Sequence, residues 1–169
     1  ARLGGGSRPS MFVEGLATYL TGGHFKSELL TPRAAALLIL KDDQGSSWIL
    51  PLDALADDFY NSQHEIGYLQ AASLVEFMVE SYGWEAFSEF YRDIQNVPGG
   101  KPSAAIDEAL RAYFEISLSE LEAQFVTILG AREVTQDHLD DVRLTVVFYD
   151  AVRRYQQALD PSAYFLSAW

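Results

Sequence analysis

Apolar residues recur every three to four positions along most of the chain, and no segment of any length alternates apolar with polar residues. Such spacing places apolar side chains on one face of a helix, whereas a half-buried strand needs strict alternation. The clearest case runs from Glu65 to Ser81, is amphipathic, and is followed by Gly83 as a C-terminal stop. The sequence therefore predicts an all-α fold.

Helix ends are marked by capping and turn residues. Thr31-Pro32 predicts a helix start with Thr31 as N-cap. Ser117, three residues before Glu120, has the pattern of a capping box. These signals predict about eight helices, at 10–20, 33–40, 52–59, 65–81, 84–94, 104–113, 118–129 and 134–159, and a short terminal helix at 162–169 that packs back.

Composition excludes several classes of protein. The 169 residues are enough for one domain with a proper core. A net charge of −12 disfavours nucleic acid and anionic membrane surfaces, because both select basic proteins. The absence of cysteine excludes disulfides, thiol catalysis and zinc–thiolate sites. The longest apolar run, Ala34–Leu40, is too short to span a membrane, which takes about 20 residues.

Few residues offer metal or acid–base chemistry. The three histidines, His24, His64 and His138, do not pair at ligand spacing. His64-Glu65 begins like an H-E-x-x-H motif, but Tyr68 stands at its last position, so we interpret it as a helix start. Glu14 lies within an apolar helix face, where an unpaired carboxylate is costly. It needs an arginine partner, a helix rotation that exposes it, or a bound metal.

Three segments resemble the gluzincin metallopeptidases, the relatives of thermolysin and aminopeptidase N, and above all the peptidase MA-like bacterial proteins. The first is P-S-M-F-V-E-G-L-A-T-Y-L at 9–20, similar to the family's P-x-W-x-x-E-G-x-A-x-Y helix. The second is 68–83, which begins with Tyr68 and ends Y-G. The third is Ala104–Leu129, where Ile116 stands in place of a small turn residue. Their order implies an array like the C-terminal subdomain of these peptidases.

The resemblance implies roles for particular residues. Glu14 corresponds to the third zinc ligand of the family. Tyr68 corresponds to the tyrosine that stabilises the oxyanion, with Tyr60 as a reserve candidate. A peptide or protein is the implied substrate, and an extracytoplasmic location is typical of the family.

One departure from the family decides activity. The H-E-x-x-H helix that supplies two histidines and the catalytic base lies upstream of the glutamate helix, and residues 1–13 contain no histidine. A zinc site needs three protein ligands. We therefore expect the chain to be a catalytically incomplete part of a zinc peptidase and to bind no zinc alone.

The expected organisation has three parts. Residues 1–10 are a disordered segment or linker, 11–129 form the gluzincin-like subdomain, and 130–169 add helices packed on it. Without the upstream helix, an apolar groove beside Met11, Leu16 and Tyr68 is expected to be bare and to favour a homodimer. The alternative function is a non-catalytic helical interaction domain that uses the aromatic face of the C-terminal helices, formed by Phe148, Tyr149, Tyr155, Tyr164, Phe165 and Trp169.

Overall fold

The computed structural model describes residues 7–23, 29–96 and 98–160. Within these ranges the chain is all-helical, which confirms the predicted fold class, and its only β-type pairing is an isolated bridge between Lys41 and Ser47. The helices are α1 (Ser10–Thr21), α2 (Leu30–Ile39), α3 (Leu52–Asp57), α4 (His64–Tyr82), α5 (Trp84–Asp93), α6 (Pro102–Phe114), α7 (Leu118–Gly130) and α8 (Gln136–Leu159), with a short 3-10 turn at Phe59–Asn61.

Two predicted segments cannot be compared with the structure. The terminal helix at 162–169 and the loop histidine His24 lie outside the described residues. Ser7 and Arg8 are described, and both bind the rest of the chain: Arg8 Nε donates to the Tyr91 carbonyl at 2.8 Å, and the Ser7 carbonyl accepts from Asn96 N–H at 2.8 Å. Ser7 and Arg8, which fall within the predicted linker at 1–10, therefore contact the helical body. In the described part of the chain, no helix combines the length and apolar character needed to cross a bilayer.

Helix α4 is the centre of the core rather than a one-sided amphipathic helix. Nearly every residue from Glu65 to Met78 is buried, on all faces of the helix. Small residues at Gly67, Ala71 and Ala72 let neighbouring helices approach closely, and Gln70 is buried because its side chain binds both backbone groups of Leu50, at 2.9 and 2.6 Å. The sequence pattern predicted a one-sided amphipathic helix, because small and polar residues are interspersed with the large apolar ones. In the structure these small and polar residues are buried in contacts with neighbouring elements.

Helix α1 lies directly against α4 at Gly15. A Cβ atom at position 15 would lie 2.7 Å from the carbonyl oxygen of Ala71, which is closer than packed atoms allow. Met11 and Phe12, on the same side of α1, are fully buried. The glycine that follows Glu14 is thus explained by a backbone contact, and this contact fixes where Glu14 emerges.

At the N-termini of several helices, a carboxylate from another element accepts a hydrogen bond from a backbone N–H group. Glu76 of α4 accepts from the Thr31 N–H of α2 at 3.1 Å and also binds the Thr31 hydroxyl. The predicted N-cap role of Thr31 is therefore wrong: α2 begins at Leu30 with Leu29 at the N-cap position, two residues earlier than predicted, and the capping carboxylate comes from α4. Similar bonds join Asp57 to Ser103 N–H, Glu122 to Leu52 N–H and Asp107 to Leu118 N–H, at 2.8, 3.0 and 2.7 Å.

The capping box predicted at Ser117 is present, because Ser117 accepts from Glu120 N–H and Glu120 accepts from Ser117 N–H. The turn before it differs from the expectation. Glu115, and not Ile116, occupies the left-handed conformation that favours glycine, with φ of 57°. The special position of this turn therefore lies one residue earlier than the sequence comparison placed it.

Helix α8 is held on the body by two apolar residues and two ion pairs. Val142 and Val146 are buried on its inner face. Arg33 Nε of α2 lies 2.7 Å from Asp141. Arg153 pairs with Glu65 of α4, and the two side chains are only 12% and 6% exposed. In this buried Arg153–Glu65 pair, the Gln63 side-chain amide also donates a hydrogen bond of 2.6 Å to Glu65 Oε2.

Gly15→Ala is expected to destabilise the protein by about 1–3 kcal/mol, because the added methyl group meets the Ala71 backbone and forces α1 away from α4. Urea unfolding measures the effect. Gly130→Ala in α7 is the matched control, since a Cβ there meets nothing within 4 Å. Equal stability changes in the two variants would contradict the close α1–α4 contact.

Arg153→Met is expected to destabilise the protein by about 3–5 kcal/mol, because it leaves the Glu65 carboxylate buried without a charge partner. The double variant Glu65→Leu, Arg153→Met removes both charges and should recover most of that loss. Thermal and urea unfolding of the three proteins measure the difference. A double variant as unstable as the single one would show that the charges themselves are not what matters.

Candidate functional site

Glu14 stands at the edge of the α1–α4 contact. Its neighbour Gly15 faces α4, so the Glu14 side chain points along the margin of the interface and is half-buried. Its oxygen Oε1 accepts a hydrogen bond of 2.9 Å from the Tyr60 hydroxyl. Among the described residues, this carboxylate has no arginine or lysine partner. A neutral donor therefore orients this carboxylate.

Tyr60 lies in the 3-10 turn between α3 and α4. The preceding residue, Phe59, is buried and anchors the turn in the core. The Phe59 ring lies edge-on to Tyr60, with centroids 5.4 Å apart, and also contacts Tyr68 at 5.1 Å. Tyr60 itself is 55% exposed. The turn thus presents a phenol at the surface from a fixed apolar base.

Tyr68 lies in the same cluster but deeper. It is 8% exposed, and its ring is packed between Phe59 and the imidazole of His64. The His64 and Tyr68 ring centroids are 4.3 Å apart, because residues four positions apart on a helix share one face. The first turn of α4 therefore adds two ring side chains to the Glu14–Tyr60 pair.

The pKa of the His64 imidazole is lowered from its usual value. Burial is the largest cause, since it disfavours the charged ring, and the nearby Arg153 guanidinium acts in the same direction. The carboxylates of Glu65 and Glu14 act in the opposite direction. His64 is therefore mostly neutral near pH 7, and Glu14 belongs to its electrostatic surroundings.

Of the three predicted site residues, two are in direct contact and the third is not. Glu14 and the reserve candidate Tyr60 are in direct contact, whereas Tyr68 reaches this pair through Phe59 and His64. Sequence reasoning missed His64, which it interpreted only as part of a helix start. The available signal was its four-residue spacing from Tyr68. His138 does not join the site, because it belongs to the capping box of α8 with Thr135.

The described residues do not by themselves form a zinc site. No group of three or more His, Cys, Asp or Glu side chains in these ranges is arranged to hold a metal ion. A catalytic zinc takes three protein ligands, and in these ranges Glu14 is a single carboxylate hydrogen-bonded to Tyr60.

The surface beside Glu14 carries apolar side chains on α1. Val13, Ala17 and Leu20 are exposed along one strip of this helix. The groove expected from the sequence was placed elsewhere: Met11 and Tyr68 are buried by the chain itself, and Leu16 is half-buried. The exposed apolar surface next to the site is therefore the α1 strip.

Stability is expected to fall as pH drops below about 6.5, partly through His64. Its pKa is lowered in the folded protein, so the unfolded chain takes up the proton first and gains relative stability. The variant His64→Gln should show a weaker fall between pH 7.5 and 5.5 in urea unfolding.

A matched measurement uses proton NMR of the His64 ring. Glu14→Gln is expected to lower the imidazole pKa further, because the removed carboxylate favours the charged ring. A His64 pKa at or above 6.5 in the unmodified protein would contradict the described burial.

Comparison of the chain with protein-family models, with curated proteins and with solved structures found no match. The gluzincin resemblance therefore remains a prediction from the three sequence segments.

Proposed function

We propose that the chain is the C-terminal portion of a zinc-dependent peptidase domain that hydrolyses peptide bonds, and that it is inactive alone. The observation that carries the proposal is the Glu14–Tyr60 pair. A half-buried carboxylate without a cationic partner is held by a phenol at the helix edge, in the segment that resembles the family's zinc-ligand helix. A purely structural glutamate in such a position is normally paired with a cation or fully exposed.

Each residue of the cluster has a distinct role in this proposal. Tyr60 orients the Glu14 carboxylate, as outer-shell hydrogen bonds orient metal ligands, and this carboxylate would be one ligand of the zinc. Tyr68 is the candidate donor to a developing oxyanion, because an uncharged hydroxyl stabilises charge without binding the ground state strongly. Tyr60 is the reserve for that task. Zinc, when bound, supplies a water of lowered pKa and polarises the substrate carbonyl.

The remaining ligands and the general base would come from an H-E-x-x-H helix. The α1 strip of Val13, Ala17 and Leu20 is the apolar surface on which such a helix would pack, because it borders Glu14. An amphipathic helix placed there would bury these side chains and bring histidines beside the carboxylate. The proposed partner is a peptide or protein substrate rather than nucleic acid, in an extracytoplasmic location.

The alternative function is a non-catalytic helical interaction domain. The observation that favours it is the set of large apolar side chains exposed on α8. Of the aromatic residues first considered for this face, Phe148 and Tyr155 are exposed, whereas Tyr149 is half-buried. Tyr164, Phe165 and Trp169 lie outside the described residues. Only the peptidase function requires the Glu14 carboxylate.

The deciding experiment expresses the chain together with the residues that precede Ala1 in its gene and measures zinc content and peptide cleavage. We expect about one zinc per chain, lost in Glu14→Ala, because a three-ligand site that loses one ligand binds metal much more weakly. Tyr68→Phe should keep zinc and lower kcat by about 10²–10³-fold, as loss of one oxyanion donor does elsewhere.

Glu89→Ala is the control, since this exposed glutamate of α5 lies outside the cluster. The proposal fails if the preceding residues contain no pair of histidines at ligand spacing. It also fails if Glu14→Ala retains zinc and cleavage at the level of the control.

A further inference from the structure

Helix α8 carries a continuous apolar stripe on the side that faces away from the body. Its large members are each more than half exposed: Leu144, Val147, Phe148, Tyr155 and Leu159. Ala151 and Ala158 are also exposed and fill the spaces between them. Five large apolar side chains at this exposure on one helix exceed the scattered apolar residues of an ordinary protein surface. We call this set the α8 stripe.

The stripe is not the face that attaches α8 to the protein. Attachment uses Val142 and Val146 and the ion pairs of Asp141 and Arg153. Val142, Val146 and Arg153 lie more than a quarter turn from Phe148 at 100° per residue, whereas Asp141 lies about 20° from it and is reached by the long Arg33 side chain. Substitutions of the stripe residues therefore leave Val142, Val146 and Arg153 in place.

The spacing of the stripe is that of a helix–helix seam. Residues 144, 148, 151, 155 and 158 follow one another at intervals of four, three, four and three. This is the heptad repeat with which two helices pack along their length. This spacing therefore suits a second helix that lies along the stripe.

We propose that the α8 stripe binds the α8 stripe of a second copy of this chain, as an antiparallel helix pair. The charges beside the stripe are self-complementary in that arrangement. Asp140 and Arg154 lie along the same edge, 14 positions or about 21 Å apart. In an antiparallel pair centred near Val147, each Arg154 comes beside Asp140 of the second copy.

Both charged groups are available for this contact. Asp140 makes only exposed contacts within α8, to Gln136 at 2.9 Å and Arg143 at 3.5 Å. Arg154 is exposed and has no carboxylate partner in the described part of the chain. In the same register Leu144 lies about two residues, or about 3 Å along the axis, from the level of Phe148 of the second copy, so the apolar centre lies beside the charged edge.

The buried area suits a weak dimer. In this register Leu144, Val147 and Phe148 of the two copies meet, and a loss on the order of 100 Å² for each of these side chains buries about 600 Å² in total. This is below the area of a stable interface, so weak association with a dissociation constant on the order of 100 μM is expected. The proposal is independent of the proposed peptidase role, because the stripe does not include Glu14 or its neighbours.

Sedimentation equilibrium over the micromolar range at about 0.15 M salt, where exposed charges are screened beyond about 8 Å, tests the proposal. The full chain should be a monomer–dimer mixture, and Phe148→Glu should be monomeric. Arg154→Asp should raise the dissociation constant at least tenfold, because it places two carboxylates side by side. Asp140→Arg combined with Arg154→Asp should restore dimerisation, because the exchanged charges attract again.

Gln157→Glu is the control, as it adds a charge to an exposed position of α8 outside the stripe. Circular dichroism of each variant establishes that the helices are retained. A chain that is monomeric at several hundred micromolar overturns the proposal, and so does covering of the stripe by residues 161–169 of the same chain. Failure of the double charge exchange to restore dimerisation overturns the antiparallel register.

Discussion

The close contact between α1 and α4 is the constraint on which the rest of the structure depends. It requires Gly15 on one helix and the Ala71 backbone on the other, and it makes α4 a helix buried on all sides. A fully buried helix must satisfy its polar side chains internally, which explains the pairing of Gln70 with Leu50 and of Glu65 with Arg153. The same contact determines that Glu14 emerges at an interface edge, where Tyr60 meets it.

Local sequence signals carried most of the secondary structure and part of the site. The all-α class, the helix positions and the capping box at Ser117 follow from periodicity and short-range capping. The failures have tertiary causes. Thr31 lost its predicted capping role to Glu76, which is 45 residues away in sequence, and the burial of α4 is invisible in its own pattern. His64 was interpreted only as part of a helix start, because its surroundings include Glu14 of α1 and Arg153 of α8, which are distant in sequence. Glu14 was identified from its own sequence context, because a carboxylate on an apolar helix face is costly.

The two surfaces for which we propose functions are separated in the fold. The Glu14 cluster lies where α1, the 3-10 turn and the first turn of α4 meet, and the α8 stripe lies on the outer side of the last described helix. The Glu65–Arg153 pair is the physical link between them, because Glu65 follows His64 on α4 and Arg153 belongs to α8. Displacement of α8 would leave the Glu65 carboxylate unpaired beside His64, so the electrostatics of the cluster depend on α8 remaining docked.

Capping of helix N-termini by carboxylates from other segments has a consequence for the folding of this chain. Helices α2, α3 and α6 have no side-chain cap of their own, and their first N–H groups are satisfied by Glu76, Glu122 and Asp57 from distant segments. Such a helix lacks its cap until the segment that carries the capping carboxylate has docked. Isolated peptides covering these segments should therefore show little helix, and secondary and tertiary structure should form in the same step of folding.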